Sequence, residues 1–254
     1  MTTEQDLQQE GLSNGSESRL RAVQLFFVNT IWSPILDHRH RTMLALVATF
    51  LVLFALHLYH LHVLSNTGVY LESIDFNEEH NFPTAFASMT MLFAGCLLIS
   101  IGRNPSTKKF VKHWIALGVI FIYLALDEYC MIHDGLSKYF EGMMGGYDFL
   151  HFAWVVPYSV LLLVFAASFV KFFFALPWRF RFLFAASGII FILGAIGFEM
   201  LGAPRSKHFG RTDLLYTTYS TIEESLEFIG ILLFNYTLLA YIHERLRSKN
   251  KPLH

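Results

Sequence analysis

The sequence predicts an all-α integral membrane bundle of about six transmembrane helices, preceded by a short N-terminal interfacial helix. Hydrophobic residues make up 54% of the chain and charged residues only 15%, whereas soluble domains are nearer to about 25% charged. The apolar residues also fall into long runs. Each run is close to the roughly 20 residues that a helix needs to cross a bilayer.

These runs are each expected to be a helix, because backbone polar groups in hydrocarbon must pair within their own segment. None of the runs shows the alternating polarity of a barrel strand. Pro177 and Pro204 are expected to mark helix ends. We therefore predict one six-helix membrane domain over residues 43–243. Its runs are 43–64, 82–101, 113–133, 151–174, 181–201 and 214–243.

Polar segments, and one apolar segment interrupted by proline, flank this domain. Residues 1–20 are rich in Gln, Glu, Ser and Gly and are predicted to be a disordered cytoplasmic tail. Residues 21–42 are apolar but short and interrupted by Pro34, which is typical of an amphipathic helix lying along the membrane interface. Residues 244–254 form a basic cytoplasmic tail.

Charged residues in the connections predict the orientation of the helices. Lysine and arginine concentrate before the first run, between runs two and three, between runs four and five, and after run six. With six spans these segments share one side, which the positive-inside rule assigns to the cytoplasm. Both termini are therefore expected in the cytoplasm. The first connection instead carries the acids expected of an external loop, namely Glu72, Asp75, Glu78 and Glu79.

Ionisable residues inside the runs are the candidates for function, because a charge at the bilayer centre costs at least about 2.5 to 3.5 kcal/mol. In the predicted orientation they all lie in the outer half of the bundle, so we expect one polar site there. His57 and His60 lie at the same level and are interpreted as headgroup-level residues rather than site residues. The candidates are Asp127, Glu128, His133, His151, Glu199, Glu223, Glu224 and Glu227.

Helical geometry places the three acids of run six together. Glu223, Glu227 and Glu224 lie at about 0°, 40° and 100° around the helix axis, and therefore on one face. Run three is different, because Glu128 and His133 are about 140° apart on an ideal helix. Both can reach one site only if the helix ends or bulges between them.

A metal is the first candidate to balance so many carboxylates, which repel one another unless they share cations or protons. Mixed carboxylate and imidazole donors suit iron, zinc or manganese. Di-metal bundle sites use four carboxylates and two histidines from four helices, although the Glu-x-x-His spacing typical of such sites is absent here. The predicted ligands are Glu128, His133, His151, Glu199, Glu224 and Glu227.

Four motifs within residues 113–243 read LDEYCMIHD, HFAWVVPY, GFEMLG and EESLEFIGILLF. They resemble an uncharacterised family of bacterial multi-pass membrane proteins. Asp134 stands where that family usually has glutamate, and Phe228 where it has methionine. The resemblance implies a shared fold and a bacterial inner-membrane location, and it implies no activity. Alkaline ceramidase-like hydrolases are not indicated, because their zinc site needs a His-x3-His pair in a late helix.

The leading hypothesis is a metal-dependent enzyme, a hydrolase or an oxidoreductase, that acts on a membrane lipid or a lipid-soluble substrate. Asp127 or Glu223 would carry protons, and the basic connection with Arg205, Lys207 and Arg211 would contact an anionic headgroup. A cation or proton transporter that uses the same carboxylates is one alternative. A structural subunit of a membrane complex or homo-oligomer is another. The net charge of −1 gives no indication of nucleic acid binding.

Overall fold

The computed structural model describes residues 38–104, 107–133, 135–137, 154–211 and 213–247, without the side chains of residues 245–247. The chain divides into two units, residues 1–44 and 45–254. In the first unit, the described residues contain the beginning of the first helix. The predicted N-terminal tail and nearly all of the predicted interfacial segment lie outside the described residues.

The part of the chain that the structure describes is all-α and contains no strand. A π-helical turn at Leu193–Phe198 joins the helices Trp178–Ile192 and Glu199–Phe209 into one span, and a second one at Ile242–Arg247 continues the helix Leu214–Tyr241. Six segments are long and apolar enough to cross a membrane, which confirms the predicted fold class of a multi-pass helical bundle. The helices are α1 (Arg39–Thr67), α2 (Phe82–Arg103), α3 (Val111–Cys130), α4 (Val155–Ala175), α5 (Trp178–Ile192), α6 (Glu199–Phe209) and α7 (Leu214–Tyr241).

Helices α2 and α7 are the most buried of the spans. Helix α2 packs along α3, and Gly95 and Gly118 face each other at their crossing. A Cβ atom on either glycine would lie 2.9 Å from the carbonyl oxygen of the other, so only glycine allows this approach. Helix α7 contacts α2, α5 and α6, and its Phe228 packs on Phe50 of α1. Four helices therefore bring side chains to α7.

The connections after α1, α3 and α6 share one end of the bundle, which we call the loop end. Contacts across this end join them: the Tyr216 hydroxyl of α7 donates to Asn77 Oδ1 in the α1–α2 connection at 2.9 Å. Trp154, just before α4, packs against Ala203 of α6. At the opposite end, the exposed Arg179 and Glu244 form an ion pair at 2.6 Å.

Helix boundaries differ from the predicted runs at several points, and two of the differences concern the candidate site and Pro204. Helix α3 ends at Cys130 rather than near residue 133, because Met131 adopts the left-handed conformation (φ 54°, ψ 41°). Pro204, predicted to mark a helix end, lies inside α6. Proline removes one backbone hydrogen bond from a helix. Membrane helices tolerate this loss where neighbouring groups satisfy the freed carbonyl oxygen.

Candidate functional site

Six glutamates from four elements interact electrostatically beneath the loop end, and we call them the carboxylate cluster. Glu224 interacts with Glu227, Glu128 and Glu79, and Glu227 also interacts with Glu199. All six residues are at most partly exposed. Neighbouring carboxylates in an apolar bundle repel one another unless protons or cations are shared among them. The members are Glu79, Glu128, Glu199, Glu223, Glu224 and Glu227.

Helix α7 contributes three of these acids from its interior rather than from its first turn. The helix is capped by Asp213, whose side chain accepts a hydrogen bond from the Tyr216 backbone N–H at 3.1 Å. The Arg205 guanidinium donates to both carboxylate oxygens of Asp213, at 2.9 and 3.0 Å. This guanidinium holds the pKa of Asp213 below its ordinary value. Glu223 is therefore not needed as a cap and is directed to the cluster.

The end of α3 brings Glu128 and His133 to the same site. Because the left-handed Met131 ends the helix, the chain turns before His133. Glu128 and Glu227 both interact electrostatically with the His133 side chain. The separation of about 140° on an ideal helix therefore does not apply, and an imidazole lies beside the carboxylates.

Asp127 is buried next to this turn and has three close partners. Its Oδ1 accepts the His133 backbone N–H at 2.7 Å and lies 3.4 Å from His133 Nδ1. Its Oδ2 accepts the Tyr158 hydroxyl of α4 at 2.6 Å. Asp127 thus fixes the turn after α3 and connects it to α4.

Glu199 occupies the first position of α6, directly after the π-helical turn. The Trp154 indole N–H donates to Glu199 Oε1 at 3.2 Å, and Glu199 shares a side-chain hydrogen bond with Glu223. A hydrogen bond between two carboxyl groups needs a proton on one of them. Single π-helical turns inside α-helices are frequent at functional sites.

The other predicted site residues are placed as follows. Arg205 is engaged with Asp213, and its guanidinium also lies 4.1 Å from the centre of the Phe209 ring. Lys207 and Arg211 are exposed at the loop end, and their contact with a headgroup stays a prediction. His151 lies outside the described residues. Among the residues that are described, no three His, Cys, Asp or Glu side chains are already arranged around a metal position.

Sequence reasoning missed Glu79 as a member of the cluster, because it was interpreted as an acid of an external loop. Its interactions with Glu128, Glu224 and Glu227 show that the α1–α2 connection reaches inward. The position of Glu79, three residues before α2, was the feature of the sequence that could have indicated its membership of the cluster. At that point the connection must already have returned to the bundle.

The α1–α2 connection is held down by a second polar group that sequence reasoning also missed, and we call it the loop anchor. Asp75 is only 3% exposed, and its carboxylate lies 3.3 Å from His57 Nδ1 and 3.6 Å from His60 Nε2. Tyr70 donates to Asp75 Oδ2 at 2.5 Å. His57 and His60 are both buried, so they are not the headgroup-level residues expected from their depth. The loop anchor consists of His57, His60, Tyr70 and Asp75.

The two imidazoles of the loop anchor accept backbone hydrogen bonds from the connection. The Phe76 N–H donates to His57 Nδ1, and the Leu71 N–H donates to His60 Nδ1, each at 3.1 Å. A ring nitrogen that accepts carries no proton, so each neutral ring is protonated at Nε2. His57 Nε2 then donates to the Thr221 hydroxyl of α7 at 2.9 Å.

Asp75 carries the charge of the loop anchor. Burial by itself raises the pKa of this carboxyl, but the neighbouring His57 imidazole and hydrogen bonds from Tyr70 and the Asn77 N–H more than offset burial, and the pKa lies below its ordinary value. Burial and hydrogen bonding to Asp75 and Glu78 raise the pKa of Tyr70. Asp75 is therefore an ionised acceptor, and Tyr70 a neutral donor, at neutral pH.

Comparison with known proteins supplies a family and no activity. No curated protein and no solved structure matches the chain. Residues 43–242 match the family described as domain of unknown function DUF8692. The match includes helices α2 to α7, α1 from residue 43 onward, the carboxylate cluster and the loop anchor. The chain therefore belongs to the DUF8692 family.

Proposed function

We propose that the protein is a metal-dependent enzyme of a bacterial inner membrane, which acts on a lipid or a lipid-soluble substrate. The observation that supports this proposal is the carboxylate cluster itself. Glutamates from the α1–α2 connection, α3, α6 and α7 interact with one another and with the His133 imidazole in an apolar bundle. A divalent cation would neutralise the mutual repulsion of these groups.

The donor set fits iron, zinc or manganese, which bind mixtures of carboxylate and imidazole. Glutamate side chains have several rotatable bonds, so they can rotate from the present arrangement to surround a cation. A bound metal would supply activation of water or dioxygen. The proposed ligands are Glu128, His133, Glu199, Glu224 and Glu227, with His151 as a sixth.

Protons and substrate would be handled by neighbouring side chains. Asp127, held by the His133 N–H and Tyr158, is a fixed acceptor beside the cluster. Glu223 lies in hydrogen-bonding contact with Glu199 and is the proposed proton carrier within the cluster. Lys207 and Arg211 would contact an anionic headgroup, whereas Arg205 positions Asp213.

Metal content tests the proposal directly. Protein purified without chelator should carry roughly stoichiometric iron, zinc or manganese by elemental analysis, and should change the composition of total membrane lipids in a chelator-sensitive way. Glu224→Gln and Glu227→Gln should lose both properties, because amides bind divalent cations weakly. Glu72→Gln, an exposed acid of the α1–α2 connection, is the matched control and should keep both. A metal-free wild-type protein would contradict the proposal.

A cation or proton transporter is the second candidate, because of one polar residue deeper in the bundle. Asn235 of α7 is fully buried and lies three turns beyond Glu224 on nearly the same face of the helix. Its Nδ2 donates to the carbonyl oxygens of Thr90 and Ile231 at 3.1 Å. Among the described residues, its Oδ1 has no hydrogen-bond partner. Ion flux in proteoliposomes that Asn235→Leu abolishes would favour this candidate.

A further inference from the structure

A chain of hydrogen bonds leads from Asp127 to the lipid-exposed side of α3. Tyr158 of α4 donates to Asp127 Oδ2 at 2.6 Å, and the Tyr158 and Tyr123 hydroxyl oxygens are 2.9 Å apart. Tyr123 is 43% exposed, although it lies within a membrane span. This series of hydrogen bonds therefore connects a buried carboxylate with the surface of the bundle.

The direction of the donors along this chain is fixed. A phenol has one O–H donor, and the Tyr158 hydroxyl uses it for Asp127. Tyr123 must then donate to the Tyr158 oxygen. In the part of the chain that the structure describes, Tyr123 has no other hydrogen-bond partner. Its oxygen can therefore only accept from a further group on the lipid-exposed side.

The surroundings of Tyr123 suit an apolar molecule. Val119 and Leu126 lie about one turn before and one turn after Tyr123 on the same face of α3, and both are exposed, as is Leu161, one turn beyond Tyr158 on α4. Helix α4 does not pack closely along any described helix. Tyr123 is seven residues from the end of α3, or about 10 Å below the loop end. Because the 20 residues of α3 match the thickness of the hydrocarbon layer, Tyr123 lies within that layer.

We infer that the exposed surface of α3 and α4 at Tyr123 and Tyr158 binds a membrane-soluble alcohol, that is, a long-chain alcohol or a lipid with a free hydroxyl group. The alcohol donates its O–H to Tyr123, and its chain lies along the exposed apolar face of α3. Ligands that only accept hydrogen bonds, such as ethers and esters, gain no such bond. The inference rests on the proposed function, because it names the substrate class of the neighbouring carboxylate cluster.

Photo-crosslinking in proteoliposomes tests this inference. The probes are a long-chain 1-alkanol with a diazirine near its hydroxyl end and the corresponding methyl ether, which differs only in lacking the donor. Labelling of α3 and α4 peptides should be about three- to tenfold stronger with the alcohol, as expected for one hydrogen bond. Equal labelling by the two probes would overturn the inference.

Two variants and a control examine the order of the donors. Tyr123→Phe removes the acceptor and should abolish the preference for the alcohol. Tyr158→Phe frees the Tyr123 hydroxyl to donate outward, so labelling by the ether should rise relative to the alcohol. Tyr129→Phe, an exposed tyrosine on the same helix, should behave as the wild type. A full alcohol preference in either Tyr123→Phe or Tyr158→Phe would overturn the inference, provided that melting temperatures show folded protein.

This experiment is independent of the metal measurement. Labelling does not require a bound cation, so metal-free protein that prefers the alcohol would contradict the proposed function and support the binding site. Metal-loaded protein without a preference for the alcohol would support the proposed function and contradict the binding site.

Discussion

Gly194 lies directly against the backbone of Glu223, and a Cβ atom at Gly194 would be only 2.7 Å from the Glu223 carbonyl oxygen. The same Cβ would be 3.0 Å from Cγ of Glu227. Gly194 belongs to the π-helical turn between α5 and α6. The close approach of this turn to α7 therefore sets the separation between Glu199 and the acids of α7.

Gly194→Ala should destabilise the protein and separate the two parts of the carboxylate cluster. The added methyl group meets backbone that cannot rotate away, so α7 must shift, at a typical overpacking cost of about 1–3 kcal/mol. Thermal unfolding in detergent would measure this as a lower melting temperature. Gly188→Ala is the control, because a Cβ there meets nothing within 4 Å. Equal melting temperatures for the two variants would contradict the packing argument.

Asp75→Asn should weaken the attachment of the α1–α2 connection. It should also make the melting temperature of the protein less sensitive to acidic pH. Because the pKa of Asp75 lies below its ordinary value, its ionised form stabilises the fold above the ordinary pKa of about 3.9. This contribution is lost as the pH falls through the lowered value. The melting temperature of the wild type should thus decrease more steeply in acid than that of Asp75→Asn.

Hydrogen exchange of residues 68–81, measured by mass spectrometry, would locate the effect. Exchange in this connection should be faster in Asp75→Asn than in the wild type at neutral pH. Glu72→Gln changes an exposed acid in the same connection and should leave exchange unchanged. If Asp75→Asn and Glu72→Gln exchange equally slowly, the loop anchor does not hold the connection.

Chelation should lower the melting temperature of the wild-type protein if the carboxylate cluster holds a divalent cation. A ligand that binds only the folded state stabilises it, and deprotonated carboxylates are its donors. Glu224→Gln and Glu227→Gln should be insensitive to chelator and should keep the helical fold. The contrary outcome is a wild-type melting temperature that chelator does not change, together with higher melting temperatures for the Gln variants. It would indicate that the acids share protons or form simple structural pairs.

The orientation in the membrane predicts which positions an impermeant thiol reagent reaches from outside. In a background without Cys96 and Cys130, Glu72→Cys at the loop end should be labelled on intact cells, because the acidic connection is expected outside. Thr107→Cys, in the basic connection between α2 and α3, should be labelled only after the membrane is opened. The opposite result would place the carboxylate cluster toward the cytoplasm.

Particular residues show how far the candidate site could be predicted. Glu223, Glu224 and Glu227 were found from the sequence, because charged residues stand out in an apolar helix and their spacing places them on one face. Glu128 and His133 were found, but their common direction depends on the left-handed Met131, which ordinary propensities do not predict. Asp75 was missed, because an acid in a connection has no periodicity that reveals its burial.

The sequence by itself determined the six apolar helices and the level of the acids within them. Both follow from local composition, since a span needs a minimum number of apolar residues and a charge within it is conspicuous. Only the tertiary structure decided that Glu79 belongs to the carboxylate cluster and that His57 and His60 lie beside a buried Asp75. It also decided that Tyr123 is connected to Asp127 by hydrogen bonds through Tyr158. These pairings join residues from different helices and connections. They depend on helix rotation and on the path of the connections, which packing sets and local sequence does not.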